Sequence, residues 1–236
     1  MSMGFFDSIA NNIDTIFNNH KEAREERLQQ AIEKIPDPRA KDIDWSPLVY
    51  GGSFSATHTL SIDISGNLIF SPPKFSKYFF AGIFFLMGSI VGFIELIVLV
   101  FHGSDIYGVI GGVFSVFFLF WLGVYIYQSF VSITFNKQQG YFYKGTPKMV
   151  NGFIDPNDNN VIPLSSIYAI QIIPERVSNK NYAFRSYEIN LVLDNKKRVN
   201  LVDYSDIIAI EESSKKLSEY LGVPVWDISK DMERYV

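Results

Sequence analysis

Two long apolar runs dominate the hydrophobic and polar pattern of this chain. The first, Phe79 to Phe101 (FFAGIFFLMGSIVGFIELIVLVF), carries one charge, Glu95; the second, Ile106 to Phe130, carries none. Only His102, Gly103, Ser104 and Asp105 stand between them. Crossing ~30 Å of hydrocarbon takes roughly 20 apolar residues at about 1.5 Å each. Both runs reach that length, and the short connection predicts a two-helix transmembrane hairpin over 79–130.

The flanking segments show other periods. Phe5, Ile9, Ile13 and Ile16 recur at helical spacing, a highly charged stretch follows, and Pro36 and Pro38 end it. Residues 1–38 therefore read as an amphipathic and charged helical segment, expected either to lie on the inner leaflet or to pack on the protein's own soluble part or on a partner. Residues 39–78 read as β-rich: HTLSIDIS alternates, Ser65-Gly66-Asn67 makes a turn, LIFS returns, and Pro72-Pro73 leads into the first span. After the second span, ITFNKQQGYFY predicts a hairpin closed by Gly140. Next come the strand IPLSSIYAIQII and the hairpin YEINLVLDNKKRVNLVDY. Within them Ile170 and Ile172 share a face, as do Ile189, Leu191 and Leu193, and Val199 and Leu201. A helix follows, capped by Ser205 or Asp206 and stopped by Gly222, and beyond it Trp226 is expected to pack on the sheet.

This order of elements resembles the pleckstrin-homology-like domains that follow two transmembrane helices in some bacterial inner-membrane proteins. The resemblance covers about residues 131–227 and the preceding spans and rests on pattern, not on a diagnostic motif. It implies an α+β membrane protein: a two-helix hairpin plus an antiparallel β domain over 131–236, closed by a C-terminal helix. Strands in 47–72 are a departure from that pattern; they either join this domain's sheet or form a small sheet beside it.

Charge sets the orientation. Lys74 and Lys77 precede the first span, Lys137, Lys144 and Lys148 follow the second, and the loop between carries no Lys or Arg. By the positive-inside rule both termini are expected in the cytoplasm of a bacterial inner-membrane protein. The first 30 residues lack a basic region ahead of an apolar core, so the first span is expected to act as the insertion signal. Residues 131–236 balance thirteen Lys and Arg against thirteen Asp and Glu, which leaves no basic field for nucleic acid. With no cysteine, disulfides and thiolate chemistry are excluded.

Within the spans, Gly88-x-x-x-Gly92 and Gly108-x-x-x-Gly112 offer small residues for close helix approach. An antiparallel hairpin folded at the short loop places Gly92 opposite Ser115 and Gly112 opposite Glu95. These positions are read as helix packing within the hairpin, with a homo-oligomer contact as the alternative. Glu95 lies about two turns from the loop. Its two readings are placement near the interface and a partner-sensing or conducting role.

No catalytic, cofactor or metal site is expected. His20, His58 and His102 have no zinc spacing, and no phosphate-binding glycine loop or nucleophile elbow occurs. Asp155 and Asp158 in DPNDNN lack the acidic ladder of a calcium loop, and Lys196-Lys197-Arg198 reads as a charged hairpin tip. The expectation is a non-catalytic inner-membrane protein whose β domain binds a protein or lipid partner. The alternative is an immunity protein that neutralises a membrane-acting pore-forming toxin delivered by a type VI secretion system. Its partners would be the lipid bilayer and an unknown protein, in that case the toxin.

Overall fold

The computed structural model describes residues 18–19, 21–53, 57–101, 103, 106–178 and 182–233. The amphipathic positions Phe5 to Ile16, together with His20 and His102, lie outside them. In chain order the elements are helix α1 (21–33), a 3-10 turn (Pro38–Asp42), strands β1 (Thr59–Ile62) and β2 (Leu68–Ser71), and helices α2 (Lys74–Phe101) and α3 (Ile106–Ser129). Strands β3 (Ile133–Asn136), β4 (Tyr141–Lys144), β5 (Met149–Val150), β6 (Phe153–Ile154) and β7 (Val161–Pro163) follow. The chain ends with β8 (Ile167–Ser178), β9 (Ala183–Leu193), β10 (Arg198–Tyr204), α4 (Ile207–Leu221), β11 (Val225–Asp227) and the short α5 (Ser229–Met232). The architecture is α+β, and it divides into two units: residues 58–162, and the N-terminal segment with residues 163 onward.

In the first unit, α2 and α3 have 28 and 24 residues and are long and apolar enough to cross a membrane. At 1.5 Å per residue they extend ~42 and ~36 Å. They run antiparallel, so the chain returns close to where it left β2. This return decides the sheet. The hairpin β3–β4 does not open a domain over 131–236. It adds to β2, with Phe70 opposite Ile133 and Phe135 opposite Phe142, and the strand order is β1-β2-β3-β4-β7. The boundary read at residue 131 is thus bridged by strand pairing. A lone two-stranded ribbon is marginal in water, whereas three or more strands with one apolar face hold. That face carries Leu68, Phe70, Ile133, Phe135 and Phe142, all buried, with Phe135 and Phe142 ring centroids 4.9 Å apart. The β1–β2 turn is fixed by Asp63, whose carboxylate accepts the backbone N–H groups of Ser65 and Asn67 at 2.8 and 2.9 Å.

In the second unit the sheet order is β10-β9-β8-β11. β8, β9 and β10 form an antiparallel meander, while β11 runs parallel to β8, with Trp226 opposite Gln171. Ile170, Ile172, Ile189 and Leu191 lie on one face, and α4 packs against β9, β10 and β11. The Ser213 hydroxyl of α4 meets that of Tyr204 at 3.3 Å, and Tyr204 pairs with Tyr187 on the same face. α4 begins at Asp206, whose side chain accepts the Ile208 N–H, and ends at Gly222 in the left-handed region at φ 74°. A bulge between Asn200 and Val202 breaks the alternation expected on the last strand: Val202, not Leu201, stands opposite Ile189.

The opposite face is covered by the N-terminal segment. Ala31 and Ile32 of α1, then Ala40, Ile43 and Trp45, pack with Ala169, Ile173, Val192, Trp226, Ile228 and Met232. Trp226 is buried there, with its ring centroid 5.8 Å from that of Tyr168. Arg27 donates to the Asp231 carbonyl at 3.1 Å, and Trp45 donates its indole N–H to the Ala40 carbonyl at 2.9 Å. Residues 21–53 are therefore part of this unit and not a separate helical segment.

Candidate functional site

The seam between α2 and α3 follows a 3.5-residue period. On α2 it runs Ala81, Phe85, Gly88, Gly92, Glu95 and Leu99; on α3 it runs Val109, Gly112, Val116, Phe120 and Gly123. Such spacing keeps one stripe of each helix facing its partner. Each glycine receives a side chain or backbone from the other helix. A Cβ on Gly88 would lie 2.8 Å from the Phe120 ring, one on Gly92 3.4 Å from Val116, and one on Gly123 3.3 Å from the Ala81 carbonyl. A Cβ on Gly112 would lie 2.5 Å from the carboxyl carbon of Glu95. Glu95 therefore lies over Gly112, and a side chain at 112 would push its carboxyl group aside.

The other residues singled out from the sequence fall differently. Gly88, Gly92, Glu95 and Gly112 come together along the seam. Ser115 turns outward and donates its hydroxyl to the Gly111 carbonyl of its own helix at 2.9 Å, so Val116 takes the place opposite Gly92. Gly108 is exposed. The contact of Gly123 with Ala81 and Phe85 was not foreseen. Its signal was present, since Gly123 lies three turns beyond Gly112 and hence on the same face.

Beside Glu95 the seam opens into a groove of about 280 Å³, walled by Leu96, Leu99, Val109, Val113 and Phe117. Glu95 is half-buried at its edge, and among the described residues it makes no hydrogen bond or ion pair. At the far end of the seam, Lys77 places its ammonium 3.9 Å from the centre of the Tyr127 ring, and Tyr78 packs on the same ring. An aromatic pair with a lysine is the composition of a membrane interface.

The second unit carries an arrangement that the sequence reading missed. Residues 44–53 form a strap across the polar positions of β8 and β9. Glu188, 2% exposed, accepts the backbone N–H of Leu48 at 2.9 Å and of Val49 at 2.8 Å, one on each carboxylate oxygen, and Asn190 donates to it as well. Ser186 accepts the Ser53 N–H at 2.8 Å and Glu175 accepts that of Gly51 at 3.1 Å. Gly52 has φ 48°, and a Cβ there would fall 2.4 Å from Ser186 Cβ, so the strap needs glycine at this point. Arg198 fastens the near end, donating to the Ser46 carbonyl and the Asp44 carboxylate, each at 2.7 Å. Burial works against ionisation of Asp44, but hydrogen bonds from Ser46 and the Arg198 charge outweigh it and hold the carboxyl below its ordinary pKa. Held this way, Leu48, Val49 and Tyr50 face outward, Tyr50 at 77% exposure.

The remaining candidates resolve into local structure. Lys148 sends its ammonium to Asp155 at 3.2 Å and its backbone N–H to Asp158 at 2.7 Å, so both carboxylates of the acidic loop are engaged within the protein. Lys196 pairs with Asp42 at 2.8 Å, which leaves Lys197 as the outward cation of the 196–198 tip. His58 lies 3.1 Å from the Val131 carbonyl through Nε2. Among the described residues no group of three or more His, Cys, Asp or Glu side chains could hold a metal ion. Comparison of the chain with protein-family models, with curated proteins and with solved structures finds no match to any of them.

Proposed function

We propose that this chain is a non-catalytic bacterial inner-membrane protein that works by binding a partner. In this reading α2 and α3 anchor it, and the lysines at 74, 77, 137, 144 and 148 support an orientation with both termini in the cytoplasm. The unit built on β8, β9 and β10 is read as pleckstrin-homology-like and closed by α4; the antiparallel meander followed by a helix supports this, while the parallel β11 is a departure from it. The observation that carries the binding reading is the strap: a buried carboxylate fixes a turn that presents three consecutive apolar side chains to solvent. Rigid display of this kind lowers the ordering cost of binding and suits a protein partner.

The carboxyl group of Glu95 favours a second reading, an immunity protein that meets a pore-forming toxin of a type VI secretion system inside the bilayer. One experiment separates the two. Residues 79–130 are replaced by an unrelated two-span hairpin, a photo-crosslinking residue is placed at Tyr50, and protection is measured as membrane depolarisation in cells expressing a candidate pore-forming toxin from a neighbouring gene. The binding reading predicts crosslinking at Tyr50 that survives the swap and disappears when Leu48 and Val49 become Ala. The immunity reading predicts protection that the swap abolishes. Absence of both crosslinking and protection with the native hairpin would contradict both.

A further inference from the structure

The groove beside Glu95 narrows what a partner in the bilayer must look like. The inference rests on the reading that α2 and α3 cross a membrane. A carboxyl group in hydrocarbon is costly unless something pairs with it. Among the described residues this chain supplies nothing: Glu95 has no hydrogen-bond or ion-pair partner, and α3 carries no charged residue. The cations on α2 are Lys74 and Lys77, in its first turns. They lie 18 or more residues from Glu95, ~27 Å along the helix axis at 1.5 Å per residue. Lys77 is in addition engaged with the Tyr127 ring.

The site is nevertheless shaped around this group. Gly112 gives up its side chain so that the carboxyl can lie at the seam, and Gly92 keeps the neighbouring wall low. The space left is an open apolar groove of about 280 Å³ between Leu99, Val109, Val113 and Phe117. Its walls suit the side of another apolar helix, and its one polar feature is an acid.

We propose that this groove receives a transmembrane helix of a different protein that carries a single basic side chain at the depth of Glu95. Charge complementarity selects this occupant over a second copy of the chain. A second copy brings another carboxyl to the groove and no described cation within its spans.

The test uses the full chain reconstituted in phosphatidylcholine vesicles with a synthetic polyleucine helix of about 21 residues. The helix carries one Lys about two turns from one end, the depth of Glu95, or Leu or Glu at the same position, and association is read by energy transfer between labels. The Lys helix is expected to associate about tenfold more tightly than the Leu helix, the effect of one polar contact between helices in a bilayer, and the Glu helix no better than Leu. Glu95→Gln keeps the size of the side chain over Gly112 and should abolish the preference, as should Glu95→Leu. Equal association of the Lys and Leu helices overturns the proposal, and so does self-association of the chain that depends on Glu95. Vesicle flotation after an alkaline wash is run alongside. Protein that floats but shows no preference overturns the occupant alone; protein that does not float overturns the membrane reading with it.

Discussion

Glu188 and Val49, 139 positions apart in sequence, are joined by a 2.8 Å hydrogen bond from a backbone N–H to a buried carboxylate. With the parallel bond from Leu48, it fastens the strap to a sheet face on which the acid would otherwise keep only the Asn190 amide as a hydrogen-bond donor. Glu188→Ala removes both acceptors, and we expect a loss on the order of 2–3 kcal/mol, since hydrogen bonds to charged groups are the stronger class. Chemical denaturation of the detergent-solubilised protein measures it, and solvent exchange at the Leu48 and Val49 amides should rise with it. An unchanged midpoint with protected amides would mean that the strap is held elsewhere.

The same arrangement predicts which fragments fold. A fragment of residues 131–236 carries β3 and β4 without β2, and the second sheet without α1 and Trp45. It should melt without cooperativity. Residues 21–53 joined to residues 163–233 through a flexible linker should melt cooperatively with mixed helix and strand dichroism. The reverse result would restore a single β domain after the spans.

Glycines along the helix seam should respond individually. Gly88→Ala forces a Cβ to 2.8 Å from the Phe120 ring, whereas Gly82 and Gly111 have open space around them. Thermal unfolding in detergent should fall for Gly88→Ala, by about 1–3 kcal/mol as for overpacking in a core. Gly82→Ala and Gly111→Ala should leave it nearly unchanged. Equal sensitivity at all three positions would argue against this seam.

Much of the helical hairpin was legible because helices long and apolar enough to cross a membrane are written in composition. Counting back from the loop also placed Glu95 opposite Gly112, since an antiparallel pair has one free parameter. Ser115 escaped this reasoning because its hydroxyl takes the carbonyl four residues back on its own helix, a local choice that spacing alone does not reveal. The grouping of strands was hidden for a different reason. β2 and β3 are separated by two whole helices and meet only because those helices return the chain. The strap has no periodicity of its own. Its trace lay in β9, where Ser186, Glu188 and Asn190 alternate with Tyr187, Ile189 and Leu191. Such alternation commonly marks a solvated face, and here it marks a face that binds backbone.

His58 gives the 58–162 unit a pH dependence. Burial depresses its pKa most, the hydrogen bond to the Val131 carbonyl raises it, and the Lys144 charge lowers it again, leaving it below the usual 6.5. The folded state therefore binds its proton less readily than the unfolded chain. The contribution is fully present above about pH 6.5 and is lost as pH falls through the folded-state value. The melting temperature in detergent should drop between pH 7.5 and 5.5 more steeply for the native protein than for His58→Gln. Parallel profiles would assign the dependence to other groups.

The central claim is that α2 and α3 cross the membrane with their connection outside and the β1–β2 turn inside. The chain has no cysteine, so single introduced thiols report without background. Gly103→Cys and Ser65→Cys are each treated in intact cells with a membrane-impermeant maleimide, before and after permeabilisation. The account predicts that the thiol at 103 labels in intact cells and the thiol at 65 only after permeabilisation. Labelling at 65 in intact cells, or at 103 only after permeabilisation, would contradict it.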